Sequence, residues 1–276
     1  MRTTSFILAA VMAGATTAVT FGAVAPAVQG TSSGTSDWCS GSNYSDDRET
    51  HSEVREFSVP AAGAPLTVDA APNGGIKVTG EARGDIHVRA CVNATASTIE
   101  QARALAQRVD ISATVDRVAA EGPRGLGQRE NWHVSYRIAV PNRTSLSLTS
   151  SNGGIDIADV DGQIEFRTVN GGVKLTRLAG NVRGRTSNGG INVELDGSTW
   201  NGDGLDVQTQ NGGVSMTIPS NYSARLETGT VNGRMNIDFP VTPQGRIGRS
   251  ISTQLGTGGP LIRVRTSNGG VNIRQR

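Results

Sequence analysis

The chain has 276 residues, of which 36 are glycine and only 4% are aromatic, and its 26 basic and 24 acidic residues nearly balance. Frequent glycine with few aromatic residues is typical of a β protein with many tight turns and argues against a helical protein. The balanced charge gives no electrostatic reason to expect a nucleic acid partner.

The N-terminus predicts a signal peptide over residues 1–27. Arg2 precedes a long apolar stretch that ends in Ala25-Pro26-Ala27, a small-x-small cleavage pattern. An uncleaved membrane anchor is the alternative, but the stretch is rich in Ala, Gly and Thr and only weakly hydrophobic. No later segment is apolar enough to cross a membrane. We therefore expect an exported protein, periplasmic, cell-surface or secreted, with no transmembrane span in the mature chain.

Residues 28–52 are polar and rich in Ser, Gly and Asp, and we expect a flexible polar segment. Export makes a disulfide possible between the two cysteines, Cys39 and Cys91. Apolar residues alternate around Cys91, which places its side chain on the outer face of a strand, within reach of a surface segment carrying Cys39. Two free thiols are the alternative, and we expect the bond.

Strands and a single α-helix are predicted in the first half of the mature chain. The helix spans residues 98–110, where Ala102, Leu105 and Val109 share one face and Ser97 or Thr98 can act as the N-cap. We expect it to cover the open end of the strand stack, where bare edges would invite aggregation. The strands are predicted at residues 53–59, 66–70, 75–79, 85–92, 111–119 and 131–140.

The sequence Asn-Gly-Gly recurs along the chain, and from Asn152 onward the spacings are 18, 18, 23, 21 and 36 residues. The residues three and five positions after each asparagine are apolar and the residue between them is polar, as in a strand with one buried face. Because 36 is twice 18, we expect one disguised corner in the last interval. The corners begin at Asn73, Asn152, Asn170, Asn188, Asn211 and Asn268, with an Asn-Gly-Arg variant at Asn232.

Alternation before each corner places a Thr or Ser hydroxyl, and then the asparagine, on the inner face. If one unit of 18 residues forms one coil, successive coils lie about 4.8 Å apart, and stacked carboxamides can bond to one another. A ligand or metal site is the alternative; we expect structural ladders. The Asn ladder comprises Asn152, Asn170, Asn188, Asn211, Asn232 and Asn268, and the Thr/Ser ladder comprises Ser150, Thr168, Thr186, Thr209, Thr230 and Thr266.

These patterns predict an all-β fold, a single-chain β-solenoid of about 18-residue coils with Asn-Gly-Gly corners over residues 53–276. A second turn in each coil is expected near Asp161-Gly162, Ala179-Gly180 and Asp196-Gly197. Pro, Gly and Thr predict an irregular insertion at residues 240–260.

The repeated units, such as the one from Thr186 to Val193, have the pattern Thr/Ser-x-Asn-Gly-Gly-apolar-x-apolar. They resemble the bacterial β-strand-repeat family whose members are named as adhesins, a domain of unknown function. The strand from Trp132 to Tyr136 and its Val140-Pro141 exit also fit, and the resemblance covers residues 53–276. It implies an exported or envelope-facing β-repeat domain with no established catalytic residues. The departures are Asn232-Gly233-Arg234 and the insertion.

Metal-ligating patterns are weak. His51, His87 and His133 lie far apart with no ligand spacing, although the fold could bring His87 and His133 together on outward faces. The calcium-binding β-roll motif needs a further Gly and an Asp at fixed offsets, which these corners lack. We expect no metal and no cofactor.

Catalytic patterns are equally weak. A cluster of acidic residues near one corner is better interpreted as a solvated turn than as a glycosidase pair, because no aromatic cleft wall is evident. We expect no catalytic residues. The cluster comprises Asp156, Asp159, Asp161 and Glu165.

Outward positions before the corners carry a basic strip. The repeat places Glu165 beside Arg183 and Arg183 beside Asp206, a charge ladder in which each pair contributes about 0.2–1 kcal/mol. A binding surface for anionic envelope polymers is the other interpretation, and we favour the ladder. The strip comprises Arg167, Arg183, Arg185, Arg263 and Arg265.

The sequence as a whole favours an exported, non-catalytic β-repeat scaffold, an adhesin or a protein that binds an envelope polymer or partner. Its partner would be an envelope or surface polymer or protein, and not a nucleic acid. A β-helix-type enzyme acting on acidic polysaccharide and an envelope sensor or regulator are the alternatives.

Overall fold

The computed structural model describes residues 31–33, 37–39, 48–242 and 248–276. The predicted signal peptide lies outside these residues. The described part is all-β with one α-helix, α1 (Ile99–Gln107), and a 3-10 turn at Asp37–Cys39. No helix in it is both long and apolar enough to span a membrane. The strands are β1 (Thr31–Ser33), β2 (Glu49–Pro60), β3 (Leu66–Asp69), β4 (Ile76–Glu81), β5 (Asp85–Ala96), β6 (Asp110–Ala113), β7 (Arg117–Glu121), β8 (Asn131–Pro141), β9 (Leu146–Asn152), β10 (Ile155–Ala158), β11 (Asp161–Asn170), β12 (Val173–Thr176), β13 (Ala179–Asn188), β14 (Ile191–Glu194), β15 (Gly204–Asn211), β16 (Val214–Ile218), β17 (Ala224–Asn232), β18 (Met235–Ile237), β19 (Ser250–Leu255), β20 (Leu261–Asn268) and β21 (Val271–Gln275).

The strands form two large sheets. One has 11 strands in the order β1-β2-β5-β8-β4-β10-β12-β14-β16-β21-β18, and the other has 10 in the order β19-β17-β20-β15-β13-β11-β9-β3-β7-β6. In the repeated part, the strand before each Asn-Gly-Gly corner lies in the 10-stranded sheet and the strand after it lies in the 11-stranded sheet. Equivalent strands pair in parallel, so that each sheet grows by one strand per unit.

The core lies between the two sheets. Ile155, Val173 and Ile191 are partners in register and are at most 3% exposed, and the polar residue that follows each of them faces outward. The predicted apolar columns are therefore buried, as a strand with one solvated face requires. Because equivalent positions stack, one substitution changes the packing of the units on both sides.

Phe166 and Gly184 show this dependence. They are partners on β11 and β13, and a methyl group on Gly184 would lie 2.4 Å from the Phe166 ring. The ring occupies the space that a side chain at residue 184 would need. The column accepts a large residue in one unit because the next unit has none there.

The order of the last units differs from the prediction. β20 and β21 do not follow β17 and β18 in the sheets; they lie between β15 and β17 and between β16 and β18. The described part of the 36-residue interval contains no disguised corner and instead includes a return of the chain. The expectation of an irregular insertion was wrong in part, because β19 pairs antiparallel with β17 over Ser250–Leu255.

The segment between β4 and β9 builds one end of the molecule. β5 and β8 pair antiparallel, and β8 pairs in parallel with β4. α1 packs against β5 and β2, and Thr98 is its N-cap, whose Oγ1 accepts a hydrogen bond from the Gln101 amide at 3.3 Å. β2 begins at Glu49 because it pairs with the whole of β5, so the end of the segment predicted as flexible is a strand.

The second turn of the unit falls slightly earlier than predicted in two units and at the predicted place, Asp196-Gly197, in the third, where Gly197 has a φ of 74°. Asp161 and Ala179 already begin strands, and the left-handed residues before them are Asp159 and Arg177, with φ of 61° and 49°. Arg177 Nε contacts Asp159 Oδ1 at 2.6 Å. The two turns are therefore stacked and paired across neighbouring units.

Candidate functional site

The Thr/Ser column is buried at the corners and bonds to the backbone. Thr186 Oγ1 donates to the carbonyl oxygen of Gly171 at 2.8 Å, and Thr168 Oγ1 donates to that of Gly153 at 2.9 Å. The hydroxyls therefore do not bond to one another, as a ladder would require. Each satisfies a corner carbonyl of the preceding unit, which would otherwise lack a partner away from water. Ser150, Thr209, Thr230 and Thr266 make the same kind of bond, to Gly74, Gly189, Gly269 and Gly212.

The asparagine side chains stack, but on the surface. Asn170 Nδ2 donates to Asn152 Oδ1 at 2.7 Å and Asn188 Nδ2 donates to Asn170 Oδ1 at 2.7 Å. The prediction that these amides point inward was wrong, because the chain leaves the strand at the corner and the alternation ends there; the side chains are exposed. The row begins at Asn73 and continues through Asn211, Asn268 and Asn232, in the order of the strands in the sheet.

Cys39 and Cys91 form the predicted disulfide, which closes a separation of 52 residues. Both sulfurs are buried with Val54, and Trp38 packs against this small cluster. The disulfide thereby holds the 3-10 turn that carries Trp38 against the outer face of the 11-stranded sheet. The Trp38 ring lies 4.5 Å from the guanidinium carbon of Arg137 and 5.7 Å from that of Arg89, within the range of cation–π contacts.

The histidines do not converge. His51 contacts Glu53 at 3.2 Å and His87 contacts Glu56 at 3.5 Å. His133 is the register partner of Asn93, which lies six residues after His87 on β5, so the fold keeps His87 and His133 apart. Burial lowers the pKa of His133.

The acidic cluster that follows the Asn152 corner is divided between different partners. Asp159 pairs with Arg177, and Asp156 contacts Lys77 Nζ at 3.6 Å. Asp161 and Glu165 begin and continue β11, and neither makes an ion pair within the described residues. These carboxylates do not face one another across a cleft.

The basic strip lies on the outer face of the 10-stranded sheet. Glu165, Arg183 and Asp206 are partners in register, followed by Arg263 and Glu227. Signs therefore alternate along this row. Arg263 contacts Asp206 at 3.1 Å and Glu227 at 2.8 Å. The hydrogen bond from Arg263 holds the pKa of Glu227 below its ordinary value.

A second row on the same face is not balanced. Arg167 and Arg185 are direct register partners, and Gln208 separates Arg185 from Arg265. Arg265 contacts Glu227 at 3.4 Å. Arg167, Arg185 and also Arg183 are exposed and make no ion pair in the described part of the chain. The strip thus contains a paired half and a half whose guanidinium groups are open to solvent.

The opposite, 11-stranded sheet has a groove that no sequence pattern predicted. It has a volume of about 730 Å³ and runs across the strands beside the corners, with Trp38 at one end. Its floor is a row of glycines, and a row of outward polar side chains follows it. We call this the glycine groove; its floor is Gly75, Gly154, Gly172, Gly190 and Gly213, and its side row is Arg137, Lys77, Asp156, Lys174, Asn192 and Ser215.

Only the tertiary structure brings these groove residues together. Trp38 and Lys174 are 136 residues apart in the sequence. Trp38 lies in the 3-10 turn and Lys174 in a repeated strand, and no regular spacing relates them. The available signal was the second glycine of each corner, which sequence reasoning attributed to the turn.

Most of the described chain matches a known protein family. The family model described as Toastrack DUF4097 matches residues 66–274. A solved structure described as a "putative cell adhesion protein" from Clostridium sporogenes is 12% identical, with a TM-score of 0.47; the match covers 83% of this chain and 100% of that one. One described as a "putative adhesin" from Bacteroides fragilis is 12% identical, with a TM-score of 0.32, covering 84% and 98%. No curated protein matches the chain.

Proposed function

The chain belongs to the Toastrack DUF4097 family, and from this premise we propose that it is an exported, non-catalytic β-repeat scaffold that binds an anionic envelope polymer. The observation that carries the proposal is the pair of open, exposed arginines in direct register, Arg167 and Arg185, on the face of the 10-stranded sheet. Parallel strands hold such residues about 4.8 Å apart. A rigid row of cations suits a polymer with repeated negative groups.

The scaffold that we propose is a β-solenoid of about 18-residue coils with Asn-Gly-Gly corners. Its support is the in-register parallel pairing of β9, β11, β13 and β15 and the bonds that link asparagines at the corners. Each coil needs its neighbours to bury its apolar edges. The result is a long, stiff surface, which is what a polymer-binding protein requires.

Export is supported by two independent features. The N-terminal residues have the pattern of a cleaved signal, and the Cys39–Cys91 disulfide requires an oxidising compartment such as the periplasm or the exterior. We propose a periplasmic, cell-surface or secreted location on this basis.

A binding and turnover assay tests the function. The purified protein, with its disulfide intact, is titrated with polygalacturonate by calorimetry, and release of reducing ends is followed in parallel. We expect salt-sensitive binding without turnover. Clear depolymerisation would instead support the enzyme alternative, and the absence of any binding to acidic polymers would contradict the proposal.

A pair of variants tests the strip itself. Replacing Arg167 and Arg185 with Gln should weaken polygalacturonate binding by about tenfold, which corresponds to ~1.4 kcal/mol. The matched control replaces Arg103 and Arg124 with Gln; both are exposed and lie outside the strands that carry the strip. Equal affinities for the two double variants would exclude the strip as the binding surface.

A further inference from the structure

The two glycines of each corner have different steric surroundings. A methyl group on the first glycine would overlap the preceding unit: it would lie 2.0 Å from the Gly153 oxygen if added to Gly171, and 2.1 Å from the Gly171 oxygen if added to Gly189. The close approach of adjacent units therefore requires the first glycine. It constrains the second glycine less.

At the second glycine, a methyl group would meet only the next unit's carbonyl oxygen, at 3.6 Å for a methyl group on Gly172 and at 3.2 Å for one on Gly154 or Gly190. The first distance is an ordinary van der Waals contact and the other two are tight, but none is an overlap like that at the first glycine. The corner that begins at Asn232 has Arg234 at this position, at the edge of the sheet where no further unit follows. Close approach of the units thus constrains the second glycine less than the first, and an open groove floor gives a further reason for its recurrence.

The floor of the glycine groove carries free hydrogen-bond donors. The Gly75 amide donates to Ser135 Oγ at 3.1 Å, but the amides of Gly154, Gly172, Gly190 and Gly213 have no acceptor among the residues that the structure describes. All four are exposed. Their spacing is that of parallel strands, about 4.8 Å, so they form an evenly spaced row that an acidic ligand can approach.

The side row of the groove is cationic at its Trp38 end. Arg137, Lys77, Asp156 and Lys174 follow one another in register across four strands. Asp156 pairs with Lys77, whereas Arg137 and Lys174 contact no carboxylate within ion-pair distance in the described residues. This end therefore has an excess of positive charge beside the free amides.

Trp38 supplies an aromatic end wall. The disulfide of the neighbouring Cys39 and the contacts with Arg137 and Arg89 fix the indole in place. Its Nε1–H is buried and has no hydrogen-bond partner within the described chain. Since that group is shielded, the indole offers only its partly exposed ring surface, which is suited to the apolar face of a sugar ring.

From these features we propose that the glycine groove binds a single extended chain of a carboxylate-bearing polysaccharide. The carboxylates accept hydrogen bonds from the glycine amides and contact Arg137 and Lys174, and the sugar rings lie over the bare backbone between them. This inference rests on the proposed binding of a polymer and specifies its chemical class. The groove lies on the sheet opposite the one that carries the basic strip.

An acidic peptide fits the groove less well. The groove crosses the strands, so a peptide lying in it cannot add to either sheet as a further strand. Side chains on one face of an extended peptide repeat at about 6.6–6.8 Å, twice the rise of a strand residue, which does not match the row of amides.

The ligand class is tested with three polymers. Calorimetry compares de-esterified oligogalacturonate, the same oligomer as its full methyl ester, and poly-L-glutamate. We expect the free acid to bind at least about tenfold more tightly than either of the others. Poly-L-glutamate binding as tightly as the free acid would overturn the choice of a polysaccharide, and an equally tight methyl ester would overturn recognition of carboxylates.

The site is tested by filling the groove. Gly172→Gln should weaken oligogalacturonate binding by about tenfold or more at an unchanged melting midpoint, because its Cβ has room and its side chain covers the floor. Gly84→Gln is the matched control, since nothing lies within 4 Å of a methyl group on Gly84. Retained affinity in folded Gly172→Gln would overturn the proposal.

A charge variant keeps the test decisive if Gly172→Gln does not fold. Replacing Arg137 and Lys174 with Gln removes two exposed cations without touching the core and should weaken oligogalacturonate binding by about tenfold; the strip variant at Arg167 and Arg185 is measured beside it. If only the strip variant loses affinity, the groove proposal fails and the proposed function stands. If only the groove variants lose affinity, the polymer binds on this sheet and the strip assignment fails.

Discussion

At each corner, a threonine hydroxyl and an asparagine carboxamide lie two residues apart in the sequence but in different environments. Thr186 is 3% exposed and its bond to the Gly171 oxygen is partly buried, whereas Asn188 is exposed and bonds to Asn170 and Asn211 at the surface. A buried carbonyl that loses its donor cannot turn to water, but an exposed carboxamide can. The threonine should therefore stabilise the corner more than the asparagine does.

Substitutions at these two positions test the difference. Thr186→Val should lower the free energy of unfolding by about 1–3 kcal/mol, because it leaves the Gly171 carbonyl unsatisfied. Asn188→Ala should lower it by only about 0.5–1.5 kcal/mol, since its partners can bond to water. Urea denaturation of both variants provides the measurement, and a larger loss for Asn188→Ala would show that the surface row is the more important support.

At the scale of the element, neighbouring strands are linked by charges that alternate in sign along one outward row. β15, β20 and β17 place Asp206, Arg263 and Glu227 side by side, and both carboxylates contact the same guanidinium. Since β20 lies between the other two strands, Arg263 ties the returning segment of the chain to both of its neighbours. The pairing is partly exposed, so each contact contributes modestly.

Because of this pairing, the stability of the fold should depend on pH in the acidic range. The hydrogen bond from Arg263 lowers the pKa of folded Glu227 below its unfolded value, so the stabilisation is present above about pH 4.3, the ordinary value for glutamate, and is lost as the pH falls through the folded value. The melting midpoint of the wild type should fall more steeply below this pH than that of Glu227→Gln. Glu165→Gln, which removes a carboxylate with no ion pair in the described chain, is the control. Parallel curves for wild type and Glu227→Gln would contradict the assignment.

At the scale of the whole molecule, the chain does not add its units in sequence order. β20 lies between β15 and β17 and β21 lies between β16 and β18, so that β17, β18 and β19 are at the edges of the two sheets, beyond strands that follow them in the chain. At the end of the segment that contains β20 and β21, Arg276 forms ion pairs with Glu194 and, at 3.1 Å, with Asp196. Strands β17–β19 are thus attached to the rest of the fold through a segment that is synthesised after them.

Removing residues 261–276 should release the strands that depend on them. We expect residues 224–255 to lose protection from amide hydrogen exchange, while β9–β14 keep theirs, because β17 and β18 pair with β20 and β21 and not with β15 and β16. Mass-resolved hydrogen exchange measures this directly. Arg276→Ala, which removes only the terminal ion pairs, should leave both regions protected; persistent protection of 224–255 after the deletion would mean that the units add in sequence order.

The sequence by itself determined the features that depend on near neighbours along the chain. Alternation at columns such as Ile155, Val173 and Ile191 predicts an all-β fold and its buried face. The cap at Thr98 predicts where the helix begins, and the alternation around Cys91 predicts the disulfide. Only the tertiary structure decided which units are adjacent, because every unit presents the same register to its neighbours and several orders satisfy the same local pattern. It also decided that the asparagines lie outside and that Trp38, Arg137 and Lys174 border one groove. Both depend on where the chain leaves the strand and on contacts between distant segments, and neither leaves a periodic trace in the sequence.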